Sequence, residues 1–345
     1  MAGSKPSSRV TMSEVARAAG VSRTTVSFVL SGEHRAGNVS EATKARVRRV
    51  VGELGYRPDA RARALAAQST DSYGLVTEIV TSAFAANIIR GAQDEAWRKR
   101  RFLLITSTGD GDERTRHEVE SRASEKLIEQ RVAGVLYATT WHRGVTVPDL
   151  LRELPTVLVN CFDADGQLPC IIPDEVSGGR HATERLIQAS HRRIGYLNLD
   201  PTIPAAIGRL QGWRDAHLAA GLIPDEDLIA VGDATADGGY EAARTLLDRA
   251  DPPTAIFCAN DRMAMGAYDA IKERGLRIPH DVGVVGFDNH EVIAGYLRPK
   301  LTTVALPFEQ MGALGVQALD TLISGQSTIA MRQMVDCPLL ERCSV

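Results

Sequence analysis

Polar side chains with complementary hydrogen-bonding chemistry stand directly after apolar runs of this 345-residue sequence. Asn160 follows TVLV, and Asp288 follows VGVVGF. Asn260 and Asp261 follow AIFCA, and Arg209 lies near the start of the GRLQGW segment. In open parallel sheets, ligands bind outside the carboxyl ends of the strands. A carboxylate, an amide and a guanidinium that converge there would supply directional hydrogen bonds to a polyhydroxylated or otherwise polar small molecule.

The same residues also have a purely structural interpretation. Asn and Asp are preferred N-caps of helices, so Asn260 and Asp261 could cap the helix that follows them, and Asp288 could cap a turn. For Asp261 we favour the cap.

Catalytic chemistry has little support in the sequence. The motifs G-x-x-x-x-G-K-[ST], G-x-S-x-G and H-E-x-x-H do not occur, and Gly109-Asp110-Gly111 lacks the third glycine of a dinucleotide loop. The eight histidines form no ligand-spaced pair, and the five cysteines form no C-x-x-C pair. We therefore expect no enzyme activity, no cofactor, no metal site and reduced thiols.

From Ser72 onward the elements that must position these side chains alternate between two patterns. Continuous apolar runs indicate buried parallel strands, in YGLVTEIV, RFLLITST, AGVLYAT and TVLVN. Amphipathic segments between them indicate helices, in NIIRGAQDEAWRKR and TRHEVESRASEKLIEQ. The alternation is typical of an open parallel sheet with helices on both faces.

A second set of strands and helices follows Cys161. It begins with CII and continues through HATERLIQAS, RRIGYLNLD, GRLQGWRDAHLAAG, DLIAVG, GGYEAARTLLDRA, TAIFCAN, DRMAMGAYDAIKERG and DVGVVGFD. The chain ends with LTTVALPFEQMGALGVQALDTLI and a predicted strand near Met331–Val335. We expect two α/β lobes with a ligand cleft between them.

The N-terminal region has a different pattern, that of a helix-turn-helix. Thr11 and Glu14 form a capping box, Gly20 ends the first helix, and Ser22 can cap a second. The apolar or small residues that would join the two helices are Val15, Ala16, Ala19, Val21, Thr25, Val26, Val29 and Leu30. A helix of this size fits the major groove of DNA, although an ordinary helical hairpin is the alternative.

A third helix should complete a small core. Ser40 can cap it and Gly55 can end it, with Ala45, Val47, Val50, Val51 and Leu54 facing the other two helices. Beyond it, Pro58 and Asp59 begin a short basic segment whose one large apolar side chain is Leu65.

Charge separates the two parts of the chain. Residues 1–70 carry 12 Lys and Arg against 5 Asp and Glu, a net charge of +7, while residues 71–345 carry 28 against 38, a net charge of −10. The basic part should attract phosphate and the acidic part should be repelled by it. No apolar run approaches the roughly 20 residues of a membrane span. MAGSKPSSRV lacks the apolar segment of a signal peptide, so we expect a cytoplasmic protein with no membrane partner.

The N-terminal stretches VTMSEVARAAGVSRTTVSFVL, VSEATKARV and GYRPDARARALA resemble the headpiece and hinge of the lactose-repressor/galactose-repressor (LacI/GalR) family of bacterial transcription regulators. The body resembles the effector domain of the same family, in HRRIGYLNLD, IGRLQGW, AIFCANDRMAMGAYDAIKERGLRIPHDVGVVGFDNHE and LTTVALPFEQMGALGVQALDTL. The resemblance implies an all-α helix-turn-helix headpiece (residues 10–57), a hinge helix and linker (58–70), and an α/β two-lobed, periplasmic-binding-protein-like (type I) domain (71–345) for effector binding and dimerisation.

The resemblance also implies roles for residues of the second helix. Arg23 and Thr24 match base-reading positions, and Phe28 stands where many members have Arg or His, so the operator should differ from the family's common ones. The residues interpreted as phosphate or packing contacts are Ser22, Thr25 and Ser27. Leu65 matches the hinge leucine that relatives insert into the minor groove, with packing of two hinge helices as the alternative. The loop Ser31–Asn38 looks longer than usual, and its role is open.

In the body, the resemblance implies that Arg209, Asn260 and Asp288 hydrogen-bond the effector, and we favour ligand contact for Arg209 and Asp288 on that basis. Phe84 would line the opposite lobe, and Asn160 matches an acidic contact of some sugar-responsive relatives. Several relatives stack the effector on an aromatic after a Gly-Asp pair, whereas here Gly232-Asp233 precedes Ala234. The rings that could replace it are those of Phe84, Trp141 and Phe162.

The predicted protein is thus a regulator that binds a palindromic operator in double-stranded DNA as a homodimer, and the family's commonest mode implies that it is a repressor. After residue 340 only ERCSV remains, without a heptad tail, so we expect no tetramer. The predicted effector is a small polar molecule, most simply a sugar or sugar derivative. An enzyme with a DNA-binding appendage and a free-standing sugar-binding protein are the alternatives. The effector's identity and the sign of its action stay open.

Overall fold

The computed structural model describes residues 10–30, 39–57, 70–109, 111–325 and 329–345. The chain divides into two units, residues 1–70 and residues 71–345. The predicted hinge helix with Leu65 and the loop Ser31–Asn38 lie outside the described residues. Within the described ranges, no helix is both long and apolar enough to cross a membrane.

The first unit contains the three predicted helices, α1 (Met12–Ala19), α2 (Arg23–Leu30) and α3 (Glu41–Glu53). The capping box of Thr11 and Glu14 is formed, and Gly20 ends α1 with a φ of +61°, a conformation that favours glycine. The Oγ of Ser22 accepts a hydrogen bond from the backbone N of Thr25 at 3.0 Å, which caps α2. Ser40 caps α3 in the same way.

The core of this unit is small and differs from its prediction at two positions. The buried side chains come from all three helices and the segment after them: Val15, Ala16, Ala19, Val26, Val29, Val47, Val50 and Tyr56. Ala45 is exposed because it lies two residues from Val47, and so on the opposite face of α3. Leu54 is exposed because α3 ends at Glu53, and Tyr56 occupies the core instead.

The second unit holds two six-stranded sheets, each the centre of one lobe. The first lobe begins with β1 (Ser72–Thr77), α4 (Ala83–Arg98), β2 (Phe102–Ser107), α5 (Glu113–Glu129), β3 (Val135–Val145), α6 (Asp149–Arg152), β4 (Thr156–Asp163) and β5 (Cys170–Pro173). It is completed by α12 (Phe308–Ser324) and β11 (Arg332–Val335) from the end of the chain. The strand order is β11-β5-β4-β3-β1-β2, and all pairs are parallel.

The second lobe comprises α7 (Glu175–Gln188), β6 (Ile194–Asn198), α8 (Pro204–Ala219), a 3₁₀ turn (Glu226–Leu228), β7 (Ile229–Val231), α9 (Ala236–Leu247), β8 (Ala255–Cys258), α10 (Asp261–Glu273), β9 (Gly283–Asp288), α11 (Glu291–Ala294), β10 (Thr302–Ala305) and β12 (Leu339–Leu340). The strand order is β12-β10-β9-β8-β6-β7, with only β12 antiparallel among the described strands. Its core is built around Tyr196, Trp213, Phe257 and Phe287.

The described chain crosses between the lobes after β5, after β10 and after β11. This confirms the two-lobed α/β fold class, but it corrects one assignment. The CII segment was expected in the second lobe, whereas Cys170 and Ile171 pair with β4 of the first sheet. The alternating pattern identifies a strand, but sheet membership depends on where the chain crosses.

RFLLITST forms the predicted parallel strand, but the prediction that this strand is buried is wrong. This segment forms β2, an edge strand of the first sheet, and Phe102 and Ile105 are exposed. Trp97 of α4 is exposed beside them, with its ring centroid 5.4 Å from that of Phe102. A strand with these apolar side chains on a free edge is a surface on which another protein can pack.

Candidate functional sites: a recognition helix and an interlobe cavity

The exposed surface of α2 carries the predicted base-reading side chains. Arg23 and Thr24 are exposed, and Phe28 is 37% exposed although it lies between the buried Val26 and Val29. Ser22 is exposed, while Thr25 and Ser27 are half-buried. The hydroxyls of Ser22 and Thr25 lie 2.9 Å apart, so both contribute to the helix cap. A helix that presents a guanidinium, a hydroxyl and an aromatic ring on one surface can hydrogen-bond base edges and contact a thymine methyl.

In the second unit, a cavity of about 620 Å³ lies between the lobes. All five residues that the sequence suggested for the effector line it: Phe84 and Asn160 from the first lobe, and Arg209, Asn260 and Asp288 from the second. The strand-end argument predicted this position for Asn260 and Asp288, and the family resemblance predicted it for Phe84. Glu175, His142, Thr140, Trp141 and Phe308 also line the cavity.

Arg209 is the centre of a buried charge network. Its Nε donates to Oε2 of Glu175 at 2.8 Å, and its Nη1 donates to the carbonyl of Ala259 and lies 3.8 Å from Oδ1 of Asp288. The guanidinium also stacks over the ring of Phe287, with Cζ 3.7 Å from the centroid. Burial lowers the pKa of Arg209, but the charges of Glu175 and Asp288 outweigh that effect and raise it. The guanidinium is therefore charged and rigidly held.

Asp288 and Glu175 respond differently to the same burial. Burial raises the pKa of the Asp288 carboxyl well above its usual value, against the attraction of Arg209. Burial also opposes ionisation of Glu175, but Arg209 and His142 lower its pKa below the usual value. Glu175 therefore neutralises Arg209, and the Asp288 carboxyl is available to exchange hydrogen bonds with a ligand.

Asn260 and Asp261, which follow β8 after Ala259, have different roles. Asn260 caps α10, because its Oδ1 accepts from the backbone N of Met263 at 2.7 Å, and it also lines the cavity. The expectation that Asp261 acts as a cap is wrong. Its carboxylate lies deeper, where it accepts from the backbone N of His290 and from Oγ1 of Thr303, each at 2.6 Å. Capping uses the residue before the first helical turn, and Asp261 is already inside the helix.

A bulge in β3 forms the first lobe's wall of the cavity. The pairing of β3 with β4 shifts between Ala138 and Arg143, so that residues 139–142 lie opposite Asn160 alone. Asn160 adopts a left-handed φ of +61°, and its Nδ2 donates to the carbonyl of Thr139 at 3.0 Å. Asn160 was expected to follow its strand, but β4 continues to Asp163. Its amide group stabilises the bulge.

The bulge places two polar side chains in the cavity wall. The Nδ1 of His142 donates to Oε1 of Glu175 at 3.3 Å, which connects the two lobes. The Nε2 of His142 and the Oγ1 of Thr140 are buried and have no hydrogen-bond partner among the described residues. Buried polar groups without a partner in a cavity wall are positioned to bind a ligand.

Aromatic rings form the remaining wall. The ring of Phe84 lies edge-on to that of Trp141, with centroids 6.0 Å apart, and lies 5.1 Å from that of Phe308. Trp141 is half-exposed and lines the cavity. Phe162 does not line it and packs against His142 and Arg332 instead. Of the three rings proposed for stacking, only Phe84 and Trp141 are therefore in position.

Sequence reasoning missed several of these residues for identifiable reasons. Glu175 follows the strand CIIP after one residue and could have been found by the strand-end argument. Thr140 and His142 carry no such signal, because their orientation depends on the bulge. Within the described residues, no group of three or more His, Cys, Asp or Glu side chains could hold a metal ion.

Comparison with known proteins identifies the family. Residues 11–59 match the family model described as bacterial regulatory proteins, lacI family, and residues 183–345 match the periplasmic binding protein-like domain. The HTH-type transcriptional regulator CelR of Thermobifida fusca is 36% identical over 97% of this chain and 98% of its own.

Two solved structures extend this likeness. A complex of the transcriptional regulator CelR with cellobiose is 34% identical, with a TM-score of 0.66 over 98% of this chain and 100% of the other. A lac repressor dimer bound to operator and the anti-inducer ONPF is 27% identical, with a TM-score of 0.79 over 97% and 99% of the two chains. The chain belongs to the LacI family of DNA-binding bacterial transcription regulators.

Proposed function

We propose that this regulator is a repressor that binds a palindromic operator as a homodimer and is controlled by a saccharide in the interlobe cavity. The observation that carries the proposal is the convergence of Arg209, Asn260 and Asp288 on a cavity whose opposite wall is aromatic. Directional polar groups on one side and apolar rings on the other match the two kinds of surface of a sugar ring. The cellobiose complex of a relative supports the same ligand class.

On DNA, we propose that α2 enters the major groove. Arg23 would bind a guanine edge through two hydrogen bonds, and Thr24 would contact a base edge or a thymine methyl. Phe28 cannot donate a hydrogen bond, so it would add apolar contact only. The exposed basic side chains of α3, among them Arg46 and Arg48, would bind phosphates and set orientation without reading sequence.

The proposed dimer forms in part through the first lobe. Trp97, Phe102 and Ile105 create an exposed apolar surface on α4 and the edge strand β2. A second copy of the chain would cover this surface, and the solved operator complex of the lac repressor is a dimer. A two-fold dimer presents two recognition helices, so its operator would be a palindrome.

Control would act through the lobes and the hinge. A ligand that contacts both walls of the cavity favours one arrangement of the lobes, which are joined by three crossings. In the proposal, that arrangement sets whether two hinge segments can pair on DNA, where Leu65 would unstack a base step. The protein would act in the cytoplasm, where its operator is, and would have no catalytic role.

Footprinting of the purified protein on the DNA upstream of its own gene, across a salt series, tests the proposal. A protected palindrome with a hypersensitive central step is the expected result. Substitution of Leu65 by Ala should remove the hypersensitivity and weaken protection. Uniform, salt-sensitive binding without a protected site would contradict sequence-specific regulation.

A further inference from the structure

The first lobe's wall of the cavity has binding capacity that one sugar ring held by Arg209, Asn260 and Asp288 would not use. The bulge at residues 139–142 places Thr140, Trp141 and His142 next to one another along this wall. Of the described residues in the cavity wall, Thr140 and His142 are the ones whose buried side-chain atoms have no hydrogen-bond partner.

The bulge is built rigidly. The backbone N of Thr140 donates to Oε2 of Glu78 at 3.0 Å, and Arg143 forms an ion pair with the same carboxylate. Asn160 holds the carbonyl of Thr139 from the neighbouring strand. β-Bulges next to binding sites redirect side chains, and this one is anchored from two strands. The positions of the Thr140 and His142 side chains are therefore fixed before a ligand binds.

The chemistry of these atoms suits hydroxyl groups. The Nδ1 of His142 is engaged by the Glu175 carboxylate, so Nε2 is the ring nitrogen left to form a hydrogen bond with a ligand hydroxyl, which can both donate and accept. The Oγ1 of Thr140 can donate or accept. The ring of Trp141 lies between these two residues in sequence and is half-exposed, so it offers a face on which a second ring can stack.

The size of the cavity supports two rings. A hexose occupies the space of about six water molecules, or roughly 180 Å³ at about 30 Å³ per water. The cavity measures about 620 Å³, which is more than a single ring requires. Ala234, after the Gly232-Asp233 pair, lines the second lobe's side of this cavity with a small side chain.

We propose that Thr140, Trp141 and His142 form a second subsite and that the effector is a disaccharide. One ring is held by Arg209, Asn260 and Asp288, and the other stacks on Trp141 with hydroxyls bound to Thr140 Oγ1 and His142 Nε2. The inference rests on the proposed saccharide control and adds the number of rings and the residues that read the second one.

Isothermal titration calorimetry of the full-length protein tests this directly. The probes are cellobiose, maltose, lactose, melibiose, trehalose and sucrose, each compared with glucose, galactose and fructose. At least one disaccharide should bind about tenfold or more tightly than its constituent monosaccharides, because the second ring adds its own contacts. A tenfold difference in affinity corresponds to about 1.4 kcal/mol.

Variants of the bulge and of the first subsite separate the two rings. Thr140→Val and Trp141→Ala should each weaken binding of the disaccharide by about tenfold more than they weaken binding of any monosaccharide. Trp141→Phe should restore most of the affinity. Asp288→Asn should weaken both ligand classes. Because Thr140→Val removes only an unpartnered hydroxyl, it should not lower the melting temperature, which excludes misfolding as the cause.

The outcomes distinguish the two proposals. If a monosaccharide binds as tightly as any disaccharide, or if Thr140→Val and Trp141→Ala leave disaccharide affinity unchanged while Asp288→Asn weakens it, the second subsite is overturned and saccharide control stands. If none of the nine saccharides binds the wild-type protein, saccharide control itself is contradicted, and the disaccharide inference with it.

Discussion

The Nε atom of Arg209 lies 2.8 Å from Oε2 of Glu175, and both side chains are almost completely buried. Glu175 begins the first helix after the chain leaves the first lobe, and Arg209 lies on the next helix of the second lobe. Glu175 also contacts His142 of the first lobe. The pair therefore connects the second lobe's side of the cavity to His142 of the first lobe. Removal of either charge would leave the other buried without a partner, which lowers the free energy of unfolding.

Removal of the carboxylate should destabilise the protein strongly. Glu175→Ala leaves a buried guanidinium without its counter-charge, so the free energy of unfolding should fall by roughly 3–5 kcal/mol. Glu175→Gln should cost less, because the amide oxygen can still accept from Arg209. Denaturant unfolding measures both. Glu226→Gln, in the exposed pair with Arg214, is the control and should change stability by about 1 kcal/mol or less. Equal effects at the two sites would contradict the account.

Stability should depend on pH through Asp261. Burial raises the pKa of this carboxyl from 3.8 to about 7, against the hydrogen bonds from Thr303 and His290. The folded protein therefore binds a proton that the unfolded chain has released, so Asp261's contribution is present near pH 5 and is lost as the pH rises through about 7. The loss from pH 5 to pH 7 is on the order of 2 kcal/mol.

Asp261→Asn isolates this effect, because its amide can donate to Thr303 and accept from His290 without titrating. Unfolding free energies of wild type and variant should converge, or reverse in favour of the variant, between pH 5 and pH 7. A difference between the two proteins that does not vary with pH would show that Asp261 is ionised throughout the range.

Arg23 should carry base recognition by α2. Arg23→Ala removes a guanidinium that can bind a guanine edge, so operator affinity should fall about tenfold to a hundredfold, with a smaller change on a scrambled duplex of the same length. Mobility-shift titrations on both duplexes measure the ratio. Arg114→Ala, at an exposed side chain of the body, is the matched control and should change neither affinity. A uniform loss on both duplexes would assign Arg23 to phosphate contact instead.

The apolar surface around β2 should hold two copies together. Phe102→Glu places a charge on a surface that the proposed dimer buries, so sedimentation equilibrium should show a monomer with unchanged circular dichroism. Leu218→Glu, at an exposed apolar position of the other lobe, serves as the control and should leave the dimer intact. A dimer that survives Phe102→Glu would place the interface elsewhere, and a stable wild-type tetramer would contradict the expected dimer.

Local chemistry made much of the molecule predictable. The capping residues Thr11, Ser22 and Ser40 and the turn at Gly20 depend on neighbours within a few positions, and they form as expected. The strand-end argument correctly placed Asn260 and Asp288 at one cavity, since parallel strands share a carboxyl edge.

What the sequence left undetermined depends on tertiary contacts. The CII segment has the pattern of a strand in either lobe, and only pairing with β4 assigns it. Thr140 and His142 line the cavity because of a bulge that Glu78, directly after β1, and Asn160 of β4 anchor. Neither anchor has a local signal, so the second half of the site appears only in the folded protein.

The most direct test of the central claim is the coupling between saccharide and operator. Operator affinity is measured with and without the tightest saccharide from the calorimetric panel, and saccharide affinity with and without operator. If the cavity controls DNA binding, each ligand should change the affinity for the other by the same factor, typically about 5-fold to 150-fold, as linkage requires. Affinities that are independent of each other, with both ligands bound to folded protein, would contradict allosteric control by the cavity.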